Sequence, residues 1–149
     1  MVGEAIKWRE HVCGGEKAII SYNTSLAREG GKAVARILGT KIMDNSTNTL
    51  TECCLVNVLL PLKISPSKIP GMNTIRPEHE PIAKQWMQET LIDDHKTFVA
   101  IYYFQSQLWA RLSGQVYLDI SDFEWVGRAL KEICERAGKE EFVKGREGA

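Results

Sequence analysis

In the run Trp109-Ala110-Arg111-Leu112-Ser113-Gly114-Gln115-Val116-Tyr117-Leu118-Asp119, a single arginine interrupts a mostly apolar stretch that reads as a strand. A permanent charge in such a place is costly unless something meets it. Held on a rigid strand, the Arg111 guanidinium offers a carboxylate two parallel charge-assisted hydrogen bonds. Two chemistries fit this: a clamp for a substrate carboxylate, and an internal ion pair with Asp119 or Glu124. Alternation along the strand puts Trp109 and Ser113 on the same face as Arg111.

The other reactive side chains form no pattern of comparable content. Cys53 and Cys54 are neighbours in an expected strand and so point to opposite faces, while Cys13 and Cys134 lie far off near helical segments. No Cys-x-x-Cys or His-rich spacing suggests zinc, so the expectation is four reduced thiols, several of them buried. His11, His79 and His95 have no partner pattern and read as surface residues. The pair His95-Lys96 falls at the end of an expected helix, where lysine commonly terminates. Gly14-Gly15 precedes a helix without following a strand, so it is not a phosphate loop.

The elements that would hold Arg111 follow from periodicity. Residues 16–38 read as one long helix, with Ile19, Leu26, Ala27, Gly30, Ala33, Val34, Ile37 and Leu38 on one face and Gly39 as its stop. Gly30-Gly31 inside it costs roughly 1 kcal/mol per glycine relative to alanine, which a kink or a close approach by a neighbouring backbone would explain. Residues 40–44 suggest a short strand. Residues 52–62 suggest a stronger one, apolar on both faces and therefore central, or covered by a partner domain. All five prolines lie between Pro61 and Pro81, which predicts a long, solvated connection.

Helix returns over 78–96, with Ile82, Trp86, Met87 and Leu91 as its stripe. Strands are expected at 97–104 and 108–119, joined by a hairpin connection at 105–107, with a bulge or bend at Gly114. Ser121 and Glu124 read as a capping box, flanked by Ile120 and Trp125 as a hydrophobic staple. The helix they start buries Val126, Leu130, Ile133, Cys134 and Ala137 and ends at Gly138. Beyond it the chain is charged and expected to fray. This order predicts an α+β fold: a small, mostly antiparallel sheet with helices packed on one face, preceded by a long inter-domain-type helix.

The 149 residues suffice for one domain with a real core, and 44% hydrophobic residues is ordinary for a globular protein. Basic and acidic residues number 19 each, and no basic block occurs, which argues against nucleic acid as a partner. No run approaches the roughly 18 apolar residues of a membrane span. The first residues lack the apolar core of a secretory signal, so the cytoplasm is the expected compartment.

Further runs accompany the Arg111 segment: Trp8-Arg9 leading to Cys13-Gly14-Gly15-Glu16-Lys17, then Leu26-Ala27-Arg28-Glu29-Gly30-Gly31, Leu38-Gly39-Thr40, and Ser121-Asp122-Phe123-Glu124-Trp125-Val126-Gly127. Their order and spacing, over about residues 8–136, resemble the C-terminal small domain of fungal class V aminotransferase-like, fold type I pyridoxal phosphate enzymes. The resemblance is above all to the isopenicillin N epimerase-like and hercynylcysteine sulfoxide lyase-like members. It implies an inter-domain helix region over 1–39, a small domain over 40–138 and a tail over 139–149. It also implies that Arg111, in an Arg-x-Ser run followed by Tyr117, holds the α-carboxylate of an amino-acid substrate.

The resemblance further implies a C–S lyase or transferase, dimeric or otherwise homo-oligomeric when complete, with pyridoxal phosphate as cofactor. The cofactor's lysine, its phosphate cup and the aspartate for its pyridine nitrogen would belong to a large domain outside these residues, so this chain alone is expected to show no turnover. Aminotransferase or epimerase activity in the complete enzyme is an alternative. Others are a non-catalytic interaction protein associated with an intact paralogue, and an unrelated ligand-binding domain.

Overall fold

The computed structural model describes residues 2–144, the side chain of Lys144 excepted. Helix α1 (Val2–His11) is followed by α2 (Glu16–Leu38), strands β1 (Leu55–Leu59), β2 (Lys63–Ile64) and β3 (Thr74–Ile75), helix α3 (Glu80–His95), strands β4 (Ala100–Phe104) and β5 (Gln107–Ser113), and helices α4 (Ile120–Gly138) and α5 (Glu141–Lys144). The main sheet has three antiparallel strands in the order β1-β5-β4, and a separate parallel pair joins β2 and β3. The fold is α+β, as the element order predicts.

One face of the sheet is the core. Val56 and Val58 of β1, Leu108, Ala110 and Leu112 of β5, and Ile101 of β4 point into a single apolar cluster with residues of α2, α3 and α4. In α2 the buried positions run from Ile19 to Leu38 along the predicted stripe, and α4 buries all five residues expected of it. Burial of that kind contributes about 1.5–3 kcal/mol per large aliphatic side chain.

The glycine pair of α2 does not kink the helix, which runs unbroken. It admits side chains rather than a backbone. A Cβ on Gly30 would fall 2.7 Å from Cε1 of the buried Phe123, and one on Gly31 would fall 2.5 Å from Val56 Cγ2. Gly127 of α4 lies against Val34 in turn, so α2 and α4 pack closely. The first half of α2 reaches past this contact, with Ile20 and Tyr22 exposed, and α1 buries nothing among the described residues.

Several expectations need correction. The strand predicted over 52–62 is only five residues long and lies at the sheet edge, because β5 is central. Residues 41–43 cover its free edge through a single bridge, Ile42 to Val58, with Met43 N–H donating to Asn57 O at 2.8 Å. Since β1 begins at Leu55, Cys53 and Cys54 fall in the preceding bends and are exposed; only Cys134 is buried among the four free thiols. The proline-rich connection is not simply solvated. It folds back as β2 and β3 and inserts Leu62, Thr74 and Ile75 into the interior.

The cap of α4 is Asp119, not Ser121. The Asp119 carboxylate accepts from Ser121 N–H at 2.7 Å and from Ser121 Oγ at 2.6 Å, while Asp122 accepts from Asp119 N–H at 2.8 Å. A carboxylate is a stronger acceptor than a hydroxyl and suits the positive end of a helix, so it takes the capping role from the serine. The staple positions shift with it to Leu118 and Phe123. The chain does not fray straight after Gly138: Phe142 of α5 is buried beside His79 and Trp86, and Arg136 bonds Glu141 at 2.9 Å. Residues 145–149 of the expected tail lie outside the described residues.

Candidate functional site

Arg111 occupies the middle of the central strand, directly opposite Asn57 on β1 and Ala100 on β4. Its neighbours Ala110 and Leu112 point into the core, so alternation sends Arg111 to the opposite, open face. There its Nε donates to Asn57 Oδ1 at 3.2 Å, and its Cζ sits 5.1 Å from the centre of the Tyr102 ring. No carboxylate pairs with Arg111 among the described residues. The anticipated ion pair is not formed: Asp119 is taken up by the cap, which holds its carboxyl below the usual range, chiefly through the Ser121 hydroxyl.

Arg111 is one of the residues lining a groove of about 590 Å³. One wall is the approach to β4, with Phe98 and Ala100; another is the end of β5, with Ser113; the third is the start of α4, with Asp122 and Trp125. Tyr117 stands at its rim, 79% exposed. Ser113 therefore shares the groove with Arg111. Trp109 does not: its indole is buried and donates to Phe104 O at 3.3 Å.

The turn after β5 is pinned from two sides. Gly114 N–H donates to Cys54 O at 2.8 Å, and the Gly114 α-carbon lies so near the α2 backbone that a Cβ would stand 3.0 Å from Ala27 N. Just beyond, Tyr22 Oη donates to Leu118 O at 2.6 Å. The far end of the groove is thus fixed by contact with α2 rather than by a bulge.

His95 and Lys96 behave as a helix terminus. Lys96 adopts the left-handed conformation, φ 53°, as the cap of α3, and its Nζ donates to Asp93 O at 2.6 Å. His95 is half-buried rather than on the surface, edge-on to Trp125 and 3.8 Å from Glu132. His79 is half-buried against Phe142 in the same way.

The described residues do not make a pyridoxal phosphate site. Every lysine described is exposed except Lys84, which is half-buried beside Glu80 at 3.4 Å, and no described lysine is enclosed as a covalent anchor must be. Among the described residues no three His, Cys, Asp or Glu converge as metal ligands, and no helix is long and apolar enough to cross a membrane.

No family model matches the chain. Three relatives do. It is 40% identical to the L-cysteine desulfhydrase-like protein lolT2 of Epichloe uncinata and 38% identical to lolT1 of the same organism, over 88% of this chain and 31% of each relative. It is 31% identical to the hercynylcysteine sulfoxide lyase of Schizosaccharomyces pombe, over 89% of this chain and 28% of that protein. The chain therefore spans about 30% of the length of the curated relatives it matches.

Proposed function

This chain belongs to the family that contains the L-cysteine desulfhydrase-like proteins and hercynylcysteine sulfoxide lyase, and we propose that it is the substrate-gripping domain of a pyridoxal phosphate-dependent lyase of carbon–sulfur bonds. The observation that carries the reading is Arg111, an exposed charged fork on the central strand, in the lining of a groove and without a carboxylate partner among the described residues. Its task is to bind and orient the α-carboxylate of an amino-acid substrate. Since no described lysine suits the cofactor, the cofactor and its chemistry belong in this reading to the part of the relatives that this chain does not span, and the 149 residues alone should show no turnover.

In this reading residues 40–138 are the small domain and α2 is the link to the large one. Exposed apolar side chains support a large neighbour: Leu55 and Phe104 on the open sheet face, Ile20 and Tyr22 on the first half of α2, and Ile6 and Trp8 on α1. The test is Arg111→Ala in the complete enzyme. Losing charge-assisted hydrogen bonds worth about 1.5–3 kcal/mol should raise KM for the amino-acid substrate roughly 10- to 150-fold while cofactor binding is unchanged. An unchanged KM would sink the assignment.

A further inference from the structure

We propose that Asn57 is a positioning residue for Arg111: it fixes the guanidinium through Nε while leaving its charge and both terminal nitrogens free for a ligand carboxylate. The proposal rests on the clamp reading of Arg111. Asn57 is the one polar residue on the five-residue strand β1, and register places it directly across from Arg111. Arginine has donors only, so the amide atom that faces it must be the oxygen. The opposite end of the amide agrees, with Nδ2 directed at Met43 Sδ 4.0 Å away.

The choice of side chain matters electrostatically. A carboxylate at position 57 would orient Arg111 equally well, but it would neutralise the fork and compete with any incoming anion. An amide oxygen orients without neutralising. The Tyr102 ring, 5.1 Å from Cζ, does the same from a second direction, since the face of an aromatic ring attracts a cation without carrying net charge. Two neutral supports hold one charged group. With Nε occupied by Asn57 Oδ1, a carboxylate is met end-on by the two Nη groups, for which no protein acceptor occurs among the described residues.

Nuclear magnetic resonance of the side-chain N–H groups of Arg111 tests this on the chain itself, with acetate as the probe and Arg111→Lys to assign the signals. In the wild-type chain the Nε–H should exchange slowly with solvent, and the Nη signals should shift saturably with acetate. Asn57→Leu, close in size and without an acceptor, should release the Nε–H to solvent and weaken acetate about threefold, the loss of a pre-set orientation. Asn57→Asp should keep the Nε–H protected yet weaken acetate at least tenfold, on the order of one competing charged pair.

Asn57 is half-buried at a sheet edge, and the dispersion of the amide spectrum checks that each variant folds. Equal Nε–H protection in wild type and Asn57→Leu, or equal acetate binding in wild type and Asn57→Asp, overturns the positioning role while the clamp stands. Absence of any saturable shift in the wild-type chain overturns the clamp and the positioning role with it.

Discussion

Replacing Gly114 by alanine puts the fold and the groove under the same strain. The added methyl would lie 3.0 Å from both Ala27 N and the Asn23 carbonyl carbon, and nearer still to the Asn23 oxygen. Those atoms are the two ends of an i to i+4 hydrogen bond in α2, a part of the structure with little freedom to give. Either that bond opens or the end of β5 moves off the helix, stretching the 2.8 Å bond from Gly114 N–H to Cys54 O. Overpacking costs about 1–3 kcal/mol and a lost backbone hydrogen bond about 1 kcal/mol more, so the expected loss is about 2–4 kcal/mol.

Read by urea denaturation, with a slope of about 2 kcal/mol/M, the midpoint should fall by about 1–2 M. Gly3→Ala is the control, because nothing lies within 4 Å of the added carbon and alanine favours helix there. It should leave the midpoint unchanged or slightly raised. A Gly114→Ala midpoint equal to wild type would refute the claim that α2 presses on this turn.

Other outcomes test the cap and the thiols. Asp119→Ala should lower the melting temperature more than Ser121→Ala, because the carboxylate and not the hydroxyl satisfies the helix start. Hydrogen bonds from Ser121, its hydroxyl first, depress the Asp119 carboxyl in the folded chain. Its contribution is therefore full above the ordinary aspartate value of 3.8 and is lost as pH falls through the lower folded value; Asp119→Asn should flatten that part of an acid titration of stability. With a thiol reagent, Cys53 and Cys54 should react fastest and Cys13 more slowly. Cys134, whose thiol burial pushes far up, should react only as the chain unfolds.

What could be read from the sequence was whatever repeats locally. The stripes of α2 and α4 are helical periodicity, and both helices lie where that periodicity places them. Gln105 and Ser106 form the tight turn between β4 and β5, with φ of 49° and 58°, although neither is the glycine or asparagine such a turn favours. The misreadings concern competition and tertiary contact. Asp119 and Ser121 both offer cap chemistry, and spacing alone favoured the serine. Leu62 and Ile75 looked like parts of a proline-rich loop because nothing local reveals that the chain returns as a parallel pair into the core. Gly30 and Gly31 leave a kink or a close backbone approach open from sequence alone, because the side chains that meet them, Phe123 and Val56, come from elements far along the chain.

The same division explains the site. Arg111 was legible because it breaks a local rule, a charge set among apolar neighbours, and such breaks concentrate where function outweighs stability. Its supports were not. Asn57 is 54 residues away, and whether it meets Arg111 depends on the register of β1 against β5, in which a slip of one residue would turn it to the other face. Yet Asn57 carried a signal of the same kind, a polar side chain in the apolar run Leu55-Val56-Asn57-Val58-Leu59. Two such exceptions on two expected strands, one a pure donor and the other holding an acceptor, restrict the register, since pairing them relieves both. That constraint is carried by the sequence itself.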